Sequence, residues 1–194
     1  MSAELDALPP ALEKLLLGRV WHATSFDRYE RIIEAEEIRP DAESVYGTAF
    51  CRQSGGVSLF DFRAPLTTIQ QQSINWHGWL GPNFAQSNGV AVWFCIDPTG
   101  TVIEDAASLL HRWKETPAIQ RADGSSYKPN IIPGVEACHV GPIPLACIEG
   151  VAVIRGDRMA AYDLVPNNET LERSVANRHI ALLSLATASV QETG

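Results

Sequence analysis

The chain has 194 residues, 45% of them hydrophobic and 20% charged, with a formal net charge of −8. That is the size and composition of one ordinary globular domain with a real core. The negative balance argues against broad electrostatic attachment to nucleic acid or anionic lipid. No apolar run approaches the ~18 residues a membrane span needs.

Met1 to Pro10 carries Glu4 and Asp6 and no basic residue, so no signal peptide is read there and a cytoplasmic location is expected. Pro9 to Leu17 has Leu12, Leu15 and Leu16 at helical spacing and Gly18 as a stop. Val20 to Ala23 is the first strand. Phe26, Tyr29, Ile32 and Ile33 then recur on one face of a helix. Pro40 closes this segment, and residues 41–55 are mostly polar and turn-like. Gly56 to Phe62 is the second strand, ended by Pro65. Leu66 to Leu80, with Trp76, His77 and Trp79, is a weaker helix. Gly89 to Ile96 is apolar on both faces and so reads as a central strand.

Asp97-Pro98-Thr99-Gly100 is a turn, and Glu104 to Lys114 a helix. Residues 118–130 read as a polar loop around Asp123-Gly124. Gly134 to Val140 is a strand, and Pro142 to Ile148 a turn or single helical turn. Gly150 to Ile154 and Met159 to Leu164 are the last strands. Residues 167–194 read as helical or partly disordered, with a helix from Glu169 to Leu185. The expectation is one α+β domain over residues 1–194, its core at about 18–165.

Cysteines 51, 95, 138 and 147 contain no CxxC pair, and without a signal peptide reduced thiols are expected. Cys95 and Cys138, in apolar strands, read as small buried hydrophobes. The five histidines show no metal-ligand spacing, so no metal site is expected.

Three segments carry candidate chemistry. In Trp21-His22-Ala23-Thr24-Ser25, His22 and Thr24 share a strand face, where an imidazole and a hydroxyl together suit a ribose or amide. The competing reading makes Thr24 the N-cap of the next helix, with Asp27 in its first turn, and His22 a half-buried strand histidine. In Ser58-Leu59-Phe60-Asp61-Phe62-Arg63, Ser58, Phe60 and Phe62 share a face. They line a ring-stacking pocket or pack the core. Arg52 and Arg63 are phosphate clasps or solvated charges. In Gly134-Val135-Glu136-Ala137-Cys138, a carboxylate sits inside an apolar strand, where burial of charge is costly. It calls for a salt bridge, an edge position or a catalytic role. Glu149 competes for that role from a turn-like setting.

Taken in order, these segments resemble the ADP-ribosyltransferase superfamily, nearest its toxin-like branches with an H-x-T opening, DarT-type transferases included. The matching blocks are Trp21 to Ser25 with the helix through Ile33 and Ile38-Arg39-Pro40, then Gly56 to Pro65, then Glu136 to Leu145 with Ile148 to Ile154. The middle block lacks the plain Ser-Thr-Ser or Tyr of that pattern, and Arg52 matches a catalytic arginine by position only. The resemblance implies a split β-sheet core with flanking helices and NAD, as substrate, in a cleft between two small sheets. His22 would bond the adenosine-side ribose, Thr24 fix the NAD backbone, and Ser58 with Phe60 or Phe62 line the nicotinamide end. Glu136 would hold the nicotinamide ribose and stabilise its developing positive charge, with Arg52 beside it. The partners implied are NAD, a nucleic-acid or protein acceptor and, for a toxin or phage-defence effector, an antitoxin; no membrane is involved. Alternatives on the same fold are an RNA 2′-phosphotransferase-like or NAD-hydrolysing enzyme, or a non-catalytic module that binds a nucleotide or partner.

Overall fold

The computed structural model describes residues 14–40, 49–64, 90–155 and 158–162. Ten strands and three whole α-helices lie in these segments, after the end of a helix at residues 14–16, within the one expected from Pro9 to Leu17. In chain order they are β1 (Val20–Ser25), α1 (Phe26–Ala35), β2 (Glu37–Ile38), α2 (Phe50–Gln53), β3 (Gly56–Asp61), β4 (Val90–Ile96) and α3 (Ala106–Glu115). There follow β5 (Ile119–Gln120), β6 (Ser126–Tyr127), β7 (Glu136–Val140), β8 (Ile143–Pro144), a 3-10 turn over Leu145–Cys147, β9 (Ile148–Arg155) and β10 (Arg158–Tyr162). The α+β expectation holds. The proposed helices at 66–80 and 169–185 lie outside the described residues.

Six strands form one antiparallel sheet in the order β10-β9-β4-β1-β3-β7. β4 is interior, as its two-sided apolar pattern predicts. Its Val92, Phe94 and Ile96 face one side while Trp93 and Cys95 face the other, and all five are buried. On the first side lie Val20, Val57, Leu59, Ala137 and Val151, covered by Tyr29 and Ile32 of α1 and by the small β2–β8 ladder. Tyr29 stacks on Phe94 with centroids 5.7 Å apart. The second side holds Trp21, Phe60, Phe62, Trp93 and Ala152, with Leu16 and Val135 against them. Towards the β7 edge, α2 and α3 close this side through Phe50, Cys51, Leu109 and Cys138.

The sheet forks at its middle. β1 and β3 are six residues each, yet they pair only at Val20↔Asp61 and Trp21↔Phe60. Beyond Trp21, β1 stays on β4 as far as Ser25↔Ala91, and β3 stays on β7 as far as Gly56↔Val140. The two halves of the sheet therefore part on either side of His22 and Ser58.

Three local expectations are corrected. Ser25, not Thr24, is the N-cap of α1, and it makes no side-chain capping bond. The expected loop at 118–130 contains the β5–β6 hairpin, because Asp123 accepts from the Ser125 N–H (2.9 Å) and hydroxyl (2.6 Å) and Gly124 takes φ 84°, which turns the chain back. The four thiols are not all reduced: Cys51 and Cys138 form a disulfide, leaving Cys95 and Cys147 free. By contrast α3 begins where its sequence directs, with Asp105 accepting from Ser108 N at 2.8 Å.

Candidate functional site

Strand alternation and register decide which candidate residues meet. Phe60 lies opposite Trp21 on one neighbour and opposite Glu136 on the other, so the three side chains form a row on one face of the sheet. Ser58, two residues back, belongs to that face and sits opposite Cys138. Its hydroxyl donates to Glu136 Oε1 at 2.8 Å. The other carboxylate oxygen accepts from the backbone N–H of Ile132 at 2.9 Å. Glu136 is 3% exposed. Burial pushes its pKa up, and the bonds from Ile132 and Ser58 oppose that rise without cancelling it.

No basic side chain is paired with Glu136 among its described bonds. The sequence asked for a salt bridge, an edge position or a special role. β7 is an edge strand of the main sheet. The carboxylate nevertheless points inward and is met by neutral donors. The Ile132 bond also ties the turn that leads into β7, where Glu136 N donates back to Ile132 O at 2.9 Å.

His22 occupies the fork. Its Nδ1 lies 3.1 Å from the backbone carbonyl of Ser58, and its ring is stacked on Phe94 with centroids 6.5 Å apart. Part of the residue's surface stays open. Even so, enclosure of the ring lowers its pKa to about 4; the Ser58 contact opposes this and Arg28 adds a small repulsion. The imidazole is neutral at pH 7. Because a carbonyl only accepts, Nδ1 carries the proton and Nε2 keeps an accepting lone pair.

His22 and Thr24 lie on the α1 side of the sheet, opposite Phe94 and Val92, whereas Ser58 and Glu136 lie on the other side. Among the described residues, Ser58 links them, its carbonyl at His22 and its hydroxyl at Glu136. Thr24 is 5% exposed. Phe60 and Phe62 are 6% and 0% exposed; Phe60 stacks on Phe62 at 6.1 Å and tilts against Trp93 at 5.0 Å. Both serve the core as they stand. Arg52 lies in the last turn of α2, next to the disulfide. Arg63 is clasped by Asp61 through Nε (2.8 Å) and a terminal nitrogen (2.6 Å), so its phosphate-binding fork is occupied. Glu149 falls where β9 slips register against β4, beside Cys95.

The sequence reading missed three contributors to this region. The Ile132 amide is a backbone group, invisible to residue type. The Phe94 platform under His22 follows only from the β1–β4 register. The disulfide joins residues 87 apart, with no spacing signal.

No protein-family model, no curated protein and no solved structure matches the chain. Among the described residues no helix is long and apolar enough to cross a membrane.

Proposed function

We propose that the chain is an NAD-dependent ADP-ribosyltransferase whose working carboxylate is Glu136. The observation that carries this reading is the carboxylate itself: buried in a strand, lacking a described cationic partner, and aligned by two neutral donors beside a fork in the sheet. A buried negative group of this kind suits chemistry in which positive charge develops on a sugar. The bond from the nicotinamide ribose C1′ to the ring nitrogen breaks, its electron pair leaves with nicotinamide, and the carboxylate faces the oxocarbenium-like carbon. An acceptor nucleophile then bonds to C1′ and gives up its proton. Neutral His22, with Nε2 accepting, suits a ribose hydroxyl at the fork. The toxin or defence role, the acceptor as nucleic acid or protein, and an antitoxin partner belong to the same proposal.

One observation favours a second reading, a module that binds a nucleotide or partner without turnover. His22 and Thr24 lie on the opposite side of the sheet from Glu136, so one ligand reaches all three only through the fork. Nicotinamide release from labelled NAD, with wild type beside Glu136→Gln, separates the readings. A transferase releases nicotinamide, and the variant keeps NAD affinity while losing rate. NAD binding without release in either protein, across a panel of nucleic-acid and protein acceptors, supports the second reading. Release at equal rates in both proteins removes Glu136 from the chemistry.

A further inference from the structure

The disulfide stands at the crossing of the two connections that hold the Glu136 carboxylate. Cys138 lies two residues along β7 from Glu136 and directly opposite Ser58, the residue that donates to Oε1. Cys51 lies in α2, whose first residue, Phe50, donates its N–H to Asn130 O at 2.8 Å, with Ala49 bridged to Asn130. Asn130 is two residues from Ile132, which donates to Oε2. One covalent bond thus fixes α2 against β7 and, through them, both donors. α2 is also held by Phe50, buried with Leu109 and beneath the Arg112 guanidinium at 4.6 Å, and by polar contacts that include Gln53 Nε2 to Tyr127 Oη at 3.0 Å and, just past its end, Arg112 to Ser54 Oγ at 2.9 Å.

Both cysteines are fully enclosed, at 0% and 1% exposure, and Gly56 is pressed against the pair. A Cβ there would lie 2.5 Å from one sulfur and 2.8 Å from the other. Two separate thiols need more room than a bonded pair, and the backbone of β3 occupies the space on that side. Of the two elements the bond joins, β7 is paired to β3 at five positions and α2 is four residues long, so the strain of reduction falls on α2.

We propose that the Cys51–Cys138 disulfide is a redox latch on Glu136: oxidised, it holds both carboxylate donors in place, and reduced, it releases α2 and with it the Ile132 donor. The reductant is a dithiol. One of its sulfurs attacks a cystine sulfur to give a mixed disulfide, and its second sulfur displaces the protein thiolate. Two electrons and two protons end on Cys51 and Cys138, and the dithiol becomes a cyclic disulfide. The effect on turnover rests on the transferase reading; the effect on the donors does not.

The test is amide hydrogen exchange on the full chain, with and without dithiothreitol, the thiol state being fixed by alkylation and mass spectrometry. In the reduced, folded protein the Ile132 amide should exchange at least tenfold faster and be accelerated more than the amides of the β1–β4 ladder, which report the general loss of stability. The Cys51→Ala/Cys138→Ala double variant should show no response to the dithiol. Unchanged exchange at Ile132 with both thiols free overturns the latch. So does an equal acceleration of Ile132 and of the whole sheet, which would make the bond a staple of the fold alone. Failure of the dithiol to open the bond in the folded protein also overturns it. Nicotinamide release is followed in parallel. Release that falls on reduction joins the two proposals, whereas no release in either state across the same panel of acceptors, with the exchange change intact, sinks the transferase reading and leaves the latch standing.

Discussion

Replacement of Gly56 by alanine tests the packing on which the Glu136 region depends. The added Cβ would sit 2.5 Å from Cys138 Sγ, 2.8 Å from Cys51 Sγ and 2.9 Å from the His139 carbonyl oxygen. Ordinary non-bonded contacts begin near about 3.5 Å, so the overlaps with sulfur are roughly 1.0 and 0.7 Å. None of the three atoms is the free end of a flexible chain: two are tied in a disulfide and one is backbone in β7. Overpacking of a rigid site costs about 1–3 kcal/mol, and this geometry belongs at the upper end. The stiffer unfolded chain offsets about 0.4–1 kcal/mol. A net loss of about 2 kcal/mol is expected, a fall of roughly 4–8 °C in Tm for a chain of this size. Urea unfolding gives the value, and the same substitution in a Cys51→Ala/Cys138→Ala background tests its cause. Removing both sulfurs relieves the two closest contacts, so the cost should fall by about half or more, a coupling measurable for touching residues. An equal cost in both backgrounds, or a cost under about 0.5 kcal/mol in the native one, would refute the reasoning.

Other consequences are as direct. Opening the 87-residue separation between Cys51 and Cys138 with a Cys51→Ser/Cys138→Ser change should cost about 4–5 kcal/mol by loop-closure entropy, seen as a lower urea midpoint. His22 titrates near 4 in the fold against 6.5 when free. The unfolded chain therefore binds more protons between those values, and stability falls as pH drops through that window. The full shift corresponds to about 3 kcal/mol, less in practice because part of the residue is open to solvent, and His22→Gln should flatten the slope of unfolding midpoint against pH. Glu136 has the opposite sign of pH dependence: its folded pKa is raised, so its contribution is best below the ordinary carboxylate range and is lost as pH rises through the folded value. Glu136→Gln should accordingly gain on wild type in thermal stability with increasing pH; a constant difference from pH 4 to 8 would contradict it. Asp105→Ala removes the cap on α3 and should lower stability by about 1 kcal/mol in the same unfolding assay.

Much of the fold was legible because its signals are local. β4 is apolar at every position from Val92 to Ile96, and a strand covered on both faces has to read that way. α1 shows Tyr29 and Ile32 on one side, and α3 begins at an Asp that can cap it. The hairpin at 119–127 was hidden because its strands are two residues long and exposed, so no hydrophobic alternation marks them. The Glu136 setting was half legible. A carboxylate among Val135, Ala137 and Cys138 announces itself by residue type, but its donors come from Ser58, 78 positions away, and from a backbone amide. The division between His22 with Thr24 and Ser58 with Glu136 was out of reach, since alternation assigns faces within each strand and only pairing relates one strand's faces to another's.

That division bears on how a ligand would use the fork. With β1 and β3 fully paired, the sheet would be a wall, and neither His22 nor Glu136 could serve one molecule. The ladder instead stops after two pairs, with Trp21 and Phe60 as its last rung. Past that rung the Ser58 backbone bonds an imidazole in place of a β1 amide, while the Ser58 side chain bonds the carboxylate on the far side. Among the described residues, Ser58 thus bonds both candidate groups. A hydroxyl can rotate to donate to Glu136 or to a ligand, and its loss would leave the Glu136 carboxylate with the Ile132 donor alone. Ser58→Ala should therefore raise the Glu136 pKa further, a carbon-13 carboxyl titration being the measurement, because one of the two bonds that favour the ionised form is gone. The His22 titration should stay put, since its bond is to the Ser58 carbonyl. If both groups move together, the fork is one electrostatic unit; if Glu136 alone moves, the sheet separates them and any shared ligand must supply the connection itself.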